Sequence, residues 1–423
     1  MQINSLHRAV SLFATGVALA LVVGCGSSNP AGGNDGPGRA AAGGSGGFGD
    51  GGGARDGGRT DVGGGNDDMP RVVAATGQTL CFDVGGSTID CAGTGQDGEV
   101  QAGVRHPSPR FTDREDGTVR DNLTGLIWLK RASCLGQVNW SQALSLSNAL
   151  AEGQGACALS DGSIAGDWRL PNVRELMSLI SVSKGYPALA EGHPFVDVKN
   201  QMHWTSTSRP GGSPKAWTGS PFASGRFSSG DKSDDEWWVW PVRDDAQTSD
   251  APMAVAATHQ TDCFDTGGNP INCDGTGQDG EIRAGVPMPN ERFVDVGDGT
   301  VEDTLTGLVW LKQSNCLGVN SLGDAYSRSA DLADGDCGLS DGSEAGDWRL
   351  PNHNEFLSLL DLSRNEPQLT DGHPFTNIQN GLHWTSTTLS AGSDSSWKIN
   401  PYWPNIHGGN KDNSHYTWPV RDR

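Results

Sequence analysis

The residues of this chain that could do chemistry come in matched pairs. His193 and His203 recur as His373 and His383, each pair ten residues apart. A metal would need further ligands beside such a pair, and none is evident, so the four are read as turn and core histidines. Carboxylates recur in the same way. "SDGSIAGDW" places Asp161 and Asp167 in an oxygen-rich loop, "SDGSEAGDW" repeats them as Asp341 and Asp347, and "GTGQDGE" supplies Asp97 with Glu99 and, in its second copy, Asp279 with Glu281. Such loops suit calcium in an exported protein. Asp-Gly and Ser-Gly dipeptides are equally ordinary turn chemistry. The expectation is therefore no cofactor, with structural calcium on Asp161, Asp167, Asp341 and Asp347 as the alternative. Neither a zinc-protease helix motif, a serine nucleophile elbow nor a phosphate loop occurs, and no catalytic residue is assigned.

Binding is the chemistry left. The two copies differ most between "TST" and the last strand, where one has Phe222, Phe227 and the "DKSDDE" cluster and the other has Tyr402, Trp403 and His407. Loops on a rigid scaffold are where recognition usually resides, and aromatic rings beside amides and carboxylates can stack a sugar and bond its hydroxyls. Those five residues are the candidate ligand-binding set. Trp217 and Trp397, at matched positions in the same region, are read as core.

The scaffold that must hold these residues is a duplication. "GDWRLPN" stands at Gly166 and again at Gly346, "GTGQDGE" at Gly93 and Gly275, "TGLIWLK" at Thr124 with "TGLVWLK" at Thr306, and "HWTST" at His203 and His383. The intervals are 180 to 182 residues, far above solenoid periods, so each unit is expected to fold alone. Within "RLPNVREL", Asn172 and Glu175 have capping-box spacing, and Val173, Leu176, Met177 and Ile180 form one apolar face. Asn352 and Glu355 repeat the plan, with His353 in place of Val173. Trp168 is then a core aromatic and Arg169 a packed or paired cation. A second helix is expected from Trp140 to about Ala151, capped by Asn139, and its counterpart from Ser321 to about Ala333. The remainder reads as strands and turns, giving an α+β unit.

Nine cysteines minus Cys25 leave four per unit. An even set in an exported chain implies disulfides, and the sequential pairing Cys81 with Cys91, Cys134 with Cys157, Cys263 with Cys273 and Cys316 with Cys337 is expected over the other two pairings possible in each unit. Export itself is read from the first 25 residues: Arg8, an apolar run to Val23, and Gly24 before Cys25 resemble a bacterial lipoprotein signal with Cys25 as the lipidated residue. Residues 26–70 are Gly-rich and read as a disordered tether. Domain boundaries follow as 71–245 and 256–423, joined by a linker at 246–255.

Net charge is −21, with 15 basic against 20 acidic residues in 76–245 and 10 against 24 in 259–423. Such a field repels phosphate backbones, which excludes nucleic acid as a partner.

The ordered motifs "DGTVRDNLTGLIWLK", "GDWRLPNVREL", "GHPF", "HWTST" and "VWPVRD", most of them present twice, resemble the Lcl C-terminal domain family (domain of unknown function 1566), named for a collagen-like bacterial surface adhesin. The resemblance implies two tandem C-type-lectin-like domains, each with two helices, a small antiparallel sheet and long loops. With the signal reading, which places the chain at the outer membrane or cell surface held by its lipid alone, the expectation is a noncatalytic binding or adhesion module for glycans; the alternatives are a structural envelope component that binds another protein and, behind it, an enzyme of a related fold. Sulfated glycosaminoglycans, the ligand associated with that adhesin, suit these acidic domains poorly.

Overall fold

The computed structural model describes residues 71–221, 226–245, 250–390, 393–402 and 406–423. All of these belong to one compact unit, in which small, mostly antiparallel sheets with few helices occur in two repeated domains. Cys25, read from the sequence as the lipidated residue, and the Gly-rich segment lie outside the described residues.

Each repeat is built on two sheets. In the first, a hairpin of Phe111–Asp113 and Thr118–Asp121 continues into Ile127–Leu129, and the closing strand Val242–Arg243 pairs antiparallel with Ile127–Leu129, so the two ends of the domain are stitched together. The second sheet runs in the order Gln137–Val138, Trp237–Trp238, His203–Ser208, Lys215–Ser220, Arg226–Asp231. The second repeat has the same plan, with Phe293–Asp295, Thr300–Asp303, Leu308–Leu311 and Val420–Asp422 in one sheet and His383–Thr388 central in the other.

Aromatic side chains cement both copies. Trp128, Trp240, Phe195 and Phe111 pack edge to face at centroid distances of 5.0 to 5.9 Å, and Trp310, Trp418, Phe375 and Phe293 repeat the arrangement at 5.0 to 5.7 Å. Edge-to-face contact suits the ring quadrupoles. The indole N–H groups of Trp240 and Trp418 are satisfied by the carbonyls of Leu129 and Leu311.

The helices obey their caps. Trp140–Ala149 begins at Asn139, whose side chain accepts from the Gln142 amide, and the Gln142 side chain reciprocates. It stops two residues short of the expected Ala151, at an extended Leu150. Its counterpart covers Leu322–Ala330, capped by Ser321. Val173–Leu179 and His353–Leu359 each start with the capping box of Asn172 with Glu175 and Asn352 with Glu355. Pairing of Cys81 with Cys91, Cys134 with Cys157, Cys263 with Cys273 and Cys316 with Cys337 closes short loops in both repeats.

One feature departs from units that each fold alone. The opening arm of the first repeat, residues 71–106, is seated on the second repeat, and the arm of the second, residues 253–288, is seated on the first. Gln260 exchanges two hydrogen bonds with the backbone of Ser208 at 2.9 and 3.0 Å, and Gln78 does the same with Thr388. Asn172 donates to the Ala284 carbonyl and Asn352 to that of Ala102, both at 3.1 Å. The repeats are therefore crossed through their arms.

Candidate functional site

The opening motif is the hub of each seat. Arg169 sits between strand and helix and donates to both oxygens of Glu175 at 2.6 Å and to Asp244 at 3.0 Å; Arg349 does so to Glu355 at 2.7 Å and Asp422 at 3.0 Å. Burial works against each guanidinium's charge, but the facing glutamate overrides it and holds the proton more tightly than in water. The same glutamate closes the capping box, and the same asparagine reaches across to the other repeat's arm. Trp168 and Trp348 are buried behind it. "GDWRLPN" is thus architecture, and it serves the junction.

The "QDGE" stretch is the matching key. It forms a single helical turn, Asp97–Val100 or Asp279–Ile282. Glu99 caps the backbone amides of Gly93 and Gly95, and Glu281 those of Gly275 and Gly277, so both glutamates are spent on their own turns. Asp97 is fully enclosed, with Oδ2 accepting from Thr76 of its own arm and Thr387 of the other repeat, each at 2.6 Å. Asp279 is held identically by Thr258 and Thr207. The second oxygen of each has no partner among the described residues. Burial outweighs the threonine hydroxyls and pushes both carboxyls up to about 6.

Two lysines complete the seats. Lys232, from the "DKSDDE" cluster, is buried; its ammonium lies 3.3 Å from the Asp265 carbonyl and 4.3 Å above the Trp140 ring. Lys411 reaches the carbonyls of Phe82 and Asp83 at 3.2 and 3.1 Å. Burial lowers both to about 8. The charge cluster read as part of a binding loop therefore has its cation committed to the neighbouring arm.

The residues singled out for ligand binding fare unequally. Phe227 is in the core, which corrects its reading as a surface candidate. It stands opposite Gly219, and its ring lies where a side chain at 219 would go, against Leu176. Tyr402 is half-buried, with its hydroxyl 3.4 Å from the Ile378 carbonyl. His407 pairs in register with Lys398. Phe222 and Trp403 lie outside the described residues. Trp217 and Trp397 are buried, as core residues should be.

The calcium candidates are occupied otherwise. Asp161 caps Ser163 and pairs with Arg243 at 3.1 Å, Asp341 caps Ser343 and pairs with Arg421 at 3.2 Å, and Asp167 and Asp347 accept from the amides of Ile164 and Glu344. Among the described residues no group of three His, Cys, Asp or Glu side chains is placed to hold a metal. His203 and His383 are buried, and burial drops both to about 4, so the rings are neutral core groups. His193 and His373 are lowered too, by the same cause.

Concave, polar surface gathers elsewhere, around Arg364. Three adjoining clefts of about 320, 420 and 320 Å³ share this residue. Their walls include His259 of the second arm, Asp371 and His373 of the second repeat, and Gly211 of the first. Arg364 bonds Asp371 at 2.5 Å and lies 3.5 Å from Asp361; His259 Nδ1 lies 3.0 Å from the same buried Asp361. Burial opposes the charge on Asp361, yet the bonds from His259 and Ser363 hold its carboxyl below the usual range. The cleft thus presents a fixed cation, an imidazole and an exposed carboxylate side by side. Sequence reasoning missed it because its walls come from three separated segments, although the signal was visible in the paired copies. At the matched positions the first repeat has Gly77, Ser181 and Lys184 for His259, Asp361 and Arg364.

The fold and these sites define a tandem, disulfide-bonded α/β module. Residues 117–243 and 299–421 each match the Lcl C-terminal domain, and the chain belongs to that family. The matched spans omit both arms. No curated protein matches the chain.

Proposed function

We propose that this protein is a noncatalytic binding or adhesion lipoprotein of the bacterial surface, recognising glycans through its second repeat. The observation that carries this reading is the polar cleft around Arg364, built at positions where two repeats of the same plan differ in residue type. Charged donors and acceptors fixed in a concave wall suit a ligand with many hydroxyls. The surrounding excess of acidic residues favours a neutral glycan over a sulfated one. A C-type-lectin-like fold is in keeping with the stitched ends, the two helices and the long loops. Further support for a noncatalytic role is that the cysteines of both repeats are in disulfides and His203, His353 and His383 are buried.

Export is supported by those disulfides. Among the described residues no helix is long and apolar enough to cross a membrane. Anchoring at Cys25, with outer-membrane or surface placement, is the reading of the signal, and structural calcium is no part of the proposal.

The test is a glycan array probed with the intact, oxidised chain and with Arg364→Ala and Asp371→Ala, with and without chelator. Saturable binding lost in both variants supports a lectin. A blank array from folded protein rejects the glycan and favours the alternative, a structural envelope component that binds another protein.

A further inference from the structure

The two arms begin side by side, and where they meet the helices Val173–Leu179 and His353–Leu359 a cavity of about 80 Å³ remains. It is separate from the cleft around Arg364. Its walls are largely apolar, with Val72, Met177, Ile180, Met253 and Leu357 among them. The charged side chains lining it are Arg110 and Arg174. Arg110 is neutralised by a two-pronged pair with Asp121 at 3.2 and 3.1 Å. His106, 3.4 Å from Arg110, is pushed down to about 4 by burial and is uncharged.

Arg174 is different. Only 9 % of it is exposed, its Nη2 donates to the Leu360 carbonyl, and its Nε has no partner among the described residues. A buried guanidinium with no carboxylate in salt-bridge contact is a costly arrangement: burial first and Arg292 second pull it down to about 10, although Asp361, Asp303 and Asp279 act from farther away in the other direction. The matched residue in the other repeat, Asn354, is satisfied, donating to the Ala74 carbonyl at 3.0 Å. Duplication therefore supplied the same wall twice, and one copy carries a cation that no carboxylate contacts directly.

We propose that this cavity is a binding site for a small monocarboxylate, with the carboxylate on Arg174 and a short alkyl group against Met177, Met253 and Leu357. Against the ~30 Å³ that a water occupies in the liquid, the volume holds about three water-sized groups, enough for the two oxygens of a carboxylate and one methyl group. A carboxylate accepts from a guanidinium in a charge-assisted bond, which a neutral amide of the same shape does not reproduce. One ligand binds per chain, because Asn354 leaves the symmetric position without a charge. The carboxylate would bridge both arms and both helices, and so bind only the crossed form.

The experiment titrates the intact protein with ¹³C-acetate near neutral pH, reading line broadening and melting temperature, with acetamide as the neutral control. Saturable acetate binding with no response to acetamide is expected. Arg174→Gln should bind about tenfold or more weakly. Val72→Trp, which fills the cavity from its rim, should abolish binding while leaving the melting temperature of the ligand-free protein near that of the parent. Equal responses to acetate and acetamide, wild-type affinity in Arg174→Gln, or no saturable binding by the parent would each overturn the proposal.

Discussion

The two arm seats and the surfaces beside them were copied in one duplication, yet they have diverged to different degrees. At the seats the copies match in both identity and distance: Asp97 and Asp279 each take two threonine hydroxyls at 2.6 Å, and Gln78 and Gln260 each span one backbone residue. At the cleft of the second repeat, His259, Asp361 and Arg364 stand where the first repeat has Gly77, Ser181 and Lys184. A position that joins the repeats must satisfy a buried partner, whereas the wall of a cleft where His259 and Arg364 reach solvent is free to drift toward a ligand. The difference separates what holds this molecule together from what it can recognise.

The largest effect should come from the hubs. Arg169→Ala would strand Glu175 in a buried place, and loss of one member of such a pair costs about 3–5 kcal/mol. Arg349→Ala should cost as much, because the geometry is the same. Urea unfolding of both variants checks this, and a large gap between them would break the equivalence of the two seats. Arm contact tests it at a second point. Gly268 has φ +85°, and a Cβ there would lie 2.1 Å from the Gly212 carbonyl oxygen of the other repeat, whereas one at Gly93, φ +72°, meets nothing within 4 Å. Gly268→Ala should therefore destabilise by more than Gly93→Ala, by about 1–3 kcal/mol beyond their shared backbone strain.

The seats also carry a pH signature. Asp97 and Asp279 each titrate near 6 when folded, against 3.8 for the free side chain, so the folded form holds protons that the unfolded form releases. Their contribution is fully present below pH 3.8 and is lost as pH rises through 6; the shift corresponds to about 3 kcal/mol for each. Buried histidines act in the opposite direction. His203, His353 and His383, lowered to about 4, favour the fold above pH 6.5 and withdraw that support in acid. Only a difference isolates the aspartates. The stability of wild type relative to Asp97→Asn/Asp279→Asn should rise on going from pH 7 to pH 5, and a constant difference would show that the two carboxyls are not held as described.

How much of this was legible follows from where each partner lies along the chain. The capping boxes of Asn172 and Asn352 could be read from letters three residues apart, and the short-range disulfides are of the same kind. The crossing of the arms could not. Asp97 needs a threonine from a "TST" strand, but Thr207 and Thr387 offer the same hydroxyl, so the residues are identical whether an arm folds onto its own repeat or the other. Phe227 was misread for a related reason: the alternation of its strand turns it inward, onto a glycine in the neighbouring strand that sequence order does not reveal. The cleft around Arg364 was written in the differences between the copies, at positions with no motif to draw attention to them.

The smallest effect on stability should come from that cleft, which makes it the cleanest place to separate recognition from structure. Arg364 and Asp371 are a surface pair, with side chains 35 % and 81 % exposed, and such pairs contribute about 0–1 kcal/mol. Arg364→Ala should shift the unfolding midpoint little. Lys184→Ala, at the matched position of the first repeat, should do the same, since its partner Glu191 is 3.8 Å away and almost fully exposed. Ligand capture should divide the two variants. If the second repeat carries the recognition, Arg364→Ala loses glycan binding and Lys184→Ala keeps it. Equal loss in both would place recognition on the features the repeats share, and the divergence at Gly77, Ser181 and Lys184 would then need a different explanation.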